Sequence, residues 1–251
     1  MKKVRILPRL DIKNDTVVKG IHLEGLRVVG KPAEMAYEYY KQGADELLYM
    51  DAVASLYERN SLTEIIKKAA KQIFIPLIVG GGVRKLEDIS SILSSGADKV
   101  AINTAAIRNP QFIRDAVLKY GSQCIILSVE AKKTPSGWKA YTETGREPSR
   151  YDVLEWLPQA IKLGVGEVLL TSIDTDGTKK GYDTDLIKAV APICSVPLIV
   201  SGGAGSPEDL LDVFQSARIE AAAVGTGLHY KDFTINLLKI LLSKHQIMVR
   251  L

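Results

Sequence analysis

The sequence is poor in cysteine, in long apolar runs and in clustered charge, and each shortage removes a class of function. Its two cysteines, Cys124 and Cys194, sit among apolar neighbours without metal-ligand spacing, so both read as core thiols rather than as a disulfide or a metal site. No other cluster calls for a metal or a cofactor. Nowhere does an apolar stretch reach the roughly 18 residues of a membrane span. The start, Met1-Lys2-Lys3-Val4-Arg5-Ile6, enters a strand-like run without an apolar leader region, which predicts a cytoplasmic protein. Lys and Arg are spread along the chain, the net charge is only +4, and no basic run is interleaved with aromatics, so a nucleic-acid partner is not expected.

What is present is a chain of 251 residues, 46% hydrophobic, able to bury one substantial core and read as a single domain over 1–251. Short apolar runs at strand length alternate with helical periodicity throughout. The strands are expected near Val4–Leu10, Leu47–Asp51, Leu77–Gly80, Lys99–Ile102, Cys124–Glu130, Val168–Ser172, Leu198–Ser201 and Ala221–Gly225. Asn109-Pro110 and Ser206-Pro207-Glu208 each supply a cap followed by proline, which predicts helix starts at both places. Strict alternation implies parallel strands, and eight units in this length favour a closed α/β barrel of the (βα)8 TIM type over an open sheet.

The chain also repeats itself. Gly81-Gly82-Val83-Arg84-Lys85-Leu86-Glu87-Asp88 recurs 121 positions later as Gly202-Gly203-Ala204-Gly205-Ser206-Pro207-Glu208-Asp209. Leu10-Asp11-Ile12-Lys13 recurs as Val129-Glu130-Ala131-Lys132, and Gly43-Ala44-Asp45-Glu46 as Gly164-Val165-Gly166-Glu167. Each half-barrel is therefore a copy of four strand-helix units.

In such barrels the chemistry sits at the C-terminal ends of the strands. Asp11 and Glu130 end the first and fifth strands, on opposite sides of the ring, where two carboxylates suit acid and base roles. Gly80-Gly81-Gly82 and Gly202-Gly203 follow the third and seventh strands, and backbone N–H groups there can approach an anion closely. Asn103-Thr104 and Gly225-Thr226, ending the fourth and eighth, complete two phosphate cradles. Asp51, Thr171 and the turn Asp176-Gly177 are further candidates for substrate contact. The glycine-bearing segment from Lys13 to Lys31 is expected to be a lid loop, and 132–150 a hairpin turning at Pro135-Ser136-Gly137.

With these residues in place, the chain resembles the family of cyclase subunits of imidazole glycerol phosphate synthase over essentially its full length. Val17-Val18-Lys19-Gly20, Gly43-Ala44-Asp45-Glu46-Leu47, Val79-Gly80-Gly81-Gly82, Gly96-Ala97-Asp98-Lys99-Val100, Leu170-Thr171-Ser172-Ile173-Asp174 and Ser201-Gly202-Gly203-Ala204-Gly205 carry the likeness. The resemblance implies a glutaminase partner on the N-terminal face and ammonia passing through the barrel. The acceptor it implies is a bis-phosphorylated ribulosyl aminoimidazole carboxamide, converted to imidazole glycerol phosphate and aminoimidazole carboxamide ribotide. By the same resemblance Asp11 and Glu130 are the acid-base pair, and Lys19, Asp51 and Asn103 touch substrate. Arg5, Glu46, Lys99 and Glu167 form the ammonia gate, with Asp98 and Gln123 near the partner.

The sequence departs from that family at the mouth. Glu130 stands where an aspartate is usual, Arg9 where a small cysteine is usual, and Lys31 and Val53 replace polar or acidic residues. Arg9 shares its strand face with Asp11, about 6.6 Å away, close enough to pair with it. A retained floor with an altered mouth also fits a paralogue that delivers ammonia for acetamidino-sugar formation in lipopolysaccharide biosynthesis. A barrel that only scaffolds a glutaminase and a related sugar-phosphate isomerase are weaker alternatives.

Overall fold

The computed structural model describes residues 3–52 and 62–250. In chain order its strands are β1 (Arg5–Lys13), β2 (Thr16–Ile21), β3 (Glu24–Gly30), β4 (Leu47–Asp51), β5 (Leu77–Gly80) and β6 (Lys99–Ile102). They continue with β7 (Ile125–Thr134), β8 (Gly137–Thr142), β9 (Glu147–Asp152), β10 (Glu167–Ser172), β11 (Leu198–Ser201) and β12 (Ala221–Val224). The α-helices are α1 (Pro32–Lys41), α2 (Thr63–Ala70), α3 (Leu86–Ser94), α4 (Thr104–Arg108) and α5 (Gln111–Tyr120). After these come α6 (Val153–Lys162), α7 (Thr184–Val190), α8 (Pro207–Ser216), α9 (Thr226–His229) and α10 (Ile235–Lys244).

Parallel pairing runs β1-β4-β5-β6-β7-β10-β11-β12 and returns from β12 to β1, so the eight strands close into the expected barrel. Strands buried on both faces need no polar alternation, which is why Leu77–Gly80 and Leu198–Ser201 read as unbroken apolar runs. Inward side chains including Leu7, Leu48, Ile78, Ile126, Leu169 and Ile199 make an inner cluster distinct from the outer core beneath the helices. This belt separates a floor, at the strand N-termini, from a mouth at their C-termini.

Two antiparallel hairpins depart from the simple barrel. β2 and β3 fold back on β1, with Asp11 opposite Val18, and β8 and β9 fold back on β7, with Glu130 opposite Tyr141. The segment expected as a lid loop is thus a two-stranded hairpin, while the hairpin at Pro135-Ser136-Gly137 forms as expected. The extra pairing lengthens β1 and β7, so Asp11 and Glu130 lie inside their strands rather than at the ends. Asn109 does not cap α5 through its side chain, because the short α4 intervenes and the Asn109 carbonyl accepts from Phe112 N instead. Ser206 does cap α8: its Oγ accepts from Asp209 N at 3.3 Å, and Asp209 Oδ2 accepts from Ser206 N at 2.8 Å.

The sequence repeat is also a repeat of backbone shape. Gly81 and Gly202 have φ of +93° and +101°, and a Cβ on either would strike the carbonyl oxygen of the equivalent residue, Asp51 or Ser172, at 2.5 and 2.8 Å. No other residue fits there. Asp88 Oδ2 accepts from Arg84 N and Lys85 N as Asp209 Oδ2 does from Gly205 N and Ser206 N. Asn103 and Gly225, before α4 and α9, share nearly the same dihedrals.

At the floor, carboxylates satisfy the first N–H groups of neighbouring strands. Asp45 accepts from Ile6 N and Asp98 from Leu77 N, each at 2.8 Å, and Glu220 from Leu198 N at 2.9 Å. Asp45 also pairs with buried Lys239 at 2.8 Å, whose Nζ reaches the Arg250 carbonyl at 2.6 Å and ties α10 and the chain end to the barrel. Cys124 and Cys194 are half-buried against the outer core.

Candidate active site

Alternation along β1 sends Arg5, Leu7, Arg9 and Asp11 to the barrel interior, and this places four side chains at four depths. Arg5 meets its counterparts at the floor. Its guanidinium pairs with Glu46 at 2.8 Å and with Glu167, while Lys99 Nζ lies 3.2 Å from Glu46 and 3.0 Å from Glu167. The four expected gate residues therefore form one closed ring of alternating sign. Burial alone would lower the Arg5 pKa, but Glu167 and Glu46 outweigh it and raise it. Asp98 and Gln123 are exposed on the same end, Gln123 in the 3-10 turn Ser122–Cys124. Because Asp98 also holds Leu77 N, a charge reversal there disturbs the start of β5.

At the mouth Arg9 is 3% exposed and reaches three strands. Its Nε donates to Asp11 Oδ1 at 2.9 Å, and NH1 donates to Thr171 Oγ1 at 2.9 Å and Ser201 Oγ at 3.1 Å. Lys19, projecting from β2, donates to Asp11 Oδ2 at 3.0 Å and to Asp176 Oδ1 at 2.8 Å. The result is a buried chain of ions, Arg9, Asp11, Lys19, Asp176, in which both oxygens of Asp11 are engaged by cations. Burial by itself would raise the Asp11 pKa, but Arg9 and Lys19 outweigh it and hold the carboxyl far below its ordinary range.

Glu130 has a different environment. Its Oε2 accepts from two neutral donors, Asn103 Nδ2 at 2.9 Å and Gly145 N at 2.8 Å. Burial dominates over Arg9 and these hydrogen bonds, and pushes its pKa up to about 7. Thus the two opposed carboxyls are separated in acidity. A carboxyl raised in this way leaves stability untouched below its unfolded value of 4.5 and costs stability as pH climbs to about 7 and beyond. Glu130→Gln is accordingly expected to stabilise the fold by about 2 kcal/mol near pH 8 and to change little near pH 5, read by thermal unfolding at the two pH values.

Asp11, Lys19, Asp51, Gly81, Gly82, Asn103, Thr104 and Glu130 all line one cavity of about 260 Å³. Thr171, Asp176, Gly177, Gly202, Gly203, Gly225 and Thr226 gather on the other side of Arg9 and Lys19. Of these, Asp176, Gly177, Gly202, Gly203, Gly225 and Thr226 line a space of only about 10 Å³, the room of roughly one water. The first cradle is open and the second closed. Closure comes from the hairpin β2–β3, whose His22 N donates to the Asp176 carbonyl at 2.8 Å, and from Gly177, where a Cβ would strike the Gly20 carbonyl at 2.1 Å. Thr171 is spent on Arg9 rather than offered to a ligand. Lys31 stands at the start of α1, 3.5 Å from Glu34, and Val53 lies outside the described residues.

Several site residues were not anticipated. The tip of hairpin β8–β9 bends over the mouth at Glu143 and Thr144, both at positive φ (52° and 57°). There Glu143 N donates to Thr104 Oγ1 at 3.1 Å, its carboxylate pairs with Arg108 at 2.8 Å, and Gly145 N reaches Glu130. His229 of α9 is buried against Tyr39, with the Tyr39 hydroxyl 2.8 Å from Nδ1, and burial pushes its pKa down to about 4. Ser128 Oγ and Asn103 Oδ1 are buried and make no hydrogen bond among the described residues.

The profile of the family "Histidine biosynthesis protein" matches residues 5–234. An imidazole glycerol phosphate synthase subunit HisF of Legionella pneumophila is 55% identical over 210 residues, 83% of this chain and 99% of that protein. Its counterpart in Helicobacter hepaticus is 48% identical over 98% of both chains. One in Dehalococcoides mccartyi is 43% identical over 100% of this chain and 99% of that protein.

Proposed function

Since the chain belongs to the histidine biosynthesis protein family, we propose that it works as the cyclase subunit of imidazole glycerol phosphate synthase. It takes ammonia released by a glutaminase subunit and adds it to the bis-phosphorylated ribulosyl aminoimidazole carboxamide. The products are imidazole glycerol phosphate and aminoimidazole carboxamide ribotide, formed in the cytoplasm. The observation that carries the reading is the doubled mouth, in which two equivalent glycine cradles flank two opposed carboxyls that differ in acidity. A ligand with a phosphate at each end and a reacting centre between them fits that arrangement. Gly81, Gly82 and Thr104 hold one phosphate; Gly202, Gly203, Gly225 and Thr226 hold the other. Lys19, Asp51, Asn103, Thr171, Asp176 and Gly177 contact the body of the ligand.

Ammonia enters at the ring of Arg5, Glu46, Lys99 and Glu167, and the glutaminase docks around Asp98 and Gln123. Names borne by the curated relatives weigh the reading toward cyclisation rather than toward ammonia delivery for acetamidino-sugar formation. With a glutaminase subunit and glutamine, glutamate and imidazole glycerol phosphate are expected in equal amounts. Glutamate released without any imidazole product would leave the chain a conduit serving another acceptor.

The cradles predict an order of occupancy. In crystals soaked with inorganic phosphate, density is expected first beside Gly82 and Thr104, and beside Gly203 and Thr226 only where the β2–β3 hairpin has shifted. Density beside Gly203 with Lys19 still on Asp176 would contradict this.

A further inference from the structure

We propose that Arg9 is a positioning residue that locks Asp11 as an ion-paired carboxylate and so leaves proton exchange at this mouth to Glu130 alone. The proposal deepens the cyclase reading and rests on it for the reaction, though not for the ionisation states.

The geometry is asymmetric. Asp11 is 5% exposed, and each of its oxygens is held by a cation, Arg9 Nε at 2.9 Å and Lys19 Nζ at 3.0 Å. Arg9 cannot swing away cheaply, because NH1 is fastened to Thr171 on β10 and Ser201 on β11. For Asp11 to accept a proton it would have to leave a buried guanidinium without its carboxylate, a strongly unfavourable change. Glu130 faces no such restraint. Its two hydrogen bonds converge on Oε2 from neutral donors, and Oε1 accepts none among the described residues. That oxygen is where a proton resides.

The surrounding charges support the division. Facing Glu130 are Arg9 and Asp11 from β1, already paired with one another, and Glu143 from the β8–β9 tip, already paired with Arg108. Asn103, just after β6, and Thr171 on β10 are neutral. Facing Asp11 are Arg9, Lys19 and, through Lys19, Asp176, with Asp51 on the same cavity wall and His229 held neutral behind.

One carboxyl suffices for the addition of ammonia, the first step of the reaction. When ammonia adds to a carbonyl carbon, the C–N bond forms as the C=O π bond breaks, the oxygen gains a proton and the nitrogen gives one up. Glu130 donates its Oε1 proton to the oxygen and, now a carboxylate, takes one from the nitrogen, ending as it began. Asp11 stays ion-paired with Arg9 and Lys19 throughout.

Carboxyl 13C NMR of the full chain, with signals assigned by their loss in Glu130→Gln and Asp11→Asn, reads both groups without substrate. Glu130 is expected to titrate with a midpoint of about 7, and Asp11 to stay ionised down to about pH 3. In Arg9→Ala the Asp11 signal should move into the measurable range, and added methylguanidinium should drive it back out. An Asp11 that titrates with Arg9 in place, or a Glu130 midpoint in the ordinary carboxylate range, would overturn the proposal. Should Arg9→Ala not fold, the parental titration decides alone. If these titrations hold but no cyclisation is found, the cyclase reading fails and the assignment of ionisation states does not.

Discussion

Asp11→Ala is expected to destabilise the protein by roughly 3–5 kcal/mol, far more than an ordinary polar truncation, because it leaves a buried guanidinium unpaired. Arg9 and Lys19 each have side chains 4% exposed and share the one Asp11 carboxylate. Lys19 keeps Asp176, whereas Arg9 keeps only the hydroxyls of Thr171 and Ser201. Urea unfolding, with an unchanged dependence on denaturant, measures the loss. Replacing both partners, as in Arg9→Met with Asp11→Leu, should recover most of it, since exchanging a whole buried pair for apolar groups is often nearly neutral. A loss below about 1 kcal/mol for Asp11→Ala would mean that water reaches the pair.

The second large effect is on rate. Glu130→Gln keeps both hydrogen bonds to Asn103 and Gly145 but removes the exchangeable proton, and should lower ammonia-dependent turnover by about 10²–10⁴-fold. Affinity for phosphate ligands should change little, because glutamine keeps the Asn103 contact and Glu130 makes no hydrogen bond to Gly81, Gly82 or Thr104. A fall in affinity with an unchanged kcat would instead mark Glu130 as a binding group.

Much of this molecule is legible in its sequence. Barrel strands such as Leu77–Gly80 and Lys99–Ile102 announce themselves because burial on both faces leaves short apolar runs closed by glycine or asparagine. The internal repeat sets the two glycine runs and the two carboxyls opposite one another, and the backbone at Gly81 and Gly202 repeats as the residues do. The hairpin at Pro135-Ser136-Gly137 was visible through its turn chemistry. Its counterpart after β1 was not, because its turns put Asn14, His22 and Leu23 at positive φ, and residues such as His22-Leu23 carry no turn signal. Glu143 and Thr144 hid the mouth-closing tip in the same way.

Contacts distant in sequence were the other blind spot. Alternation on β1 predicted that Arg9 faces Asp11, but its bonds to Thr171 and Ser201 span 162 and 192 positions and depend on barrel closure. The narrowness of the second cradle likewise follows from the β2–β3 hairpin meeting the Asp176-Gly177 turn, where Lys19 also pairs with Asp176 across 157 positions, which no local pattern encodes.

The central claim is that this mouth cyclises a bis-phosphorylated aminoimidazole precursor with ammonia, and the most direct measurement bypasses the glutaminase. The purified chain, given the ribulosyl aminoimidazole carboxamide substrate and an excess of ammonium salt near neutral pH, where Glu130 is still partly protonated, should form imidazole glycerol phosphate and aminoimidazole carboxamide ribotide in equal amounts, and Glu130→Gln should not. Substrate that binds but stays intact under saturating ammonium would contradict the account.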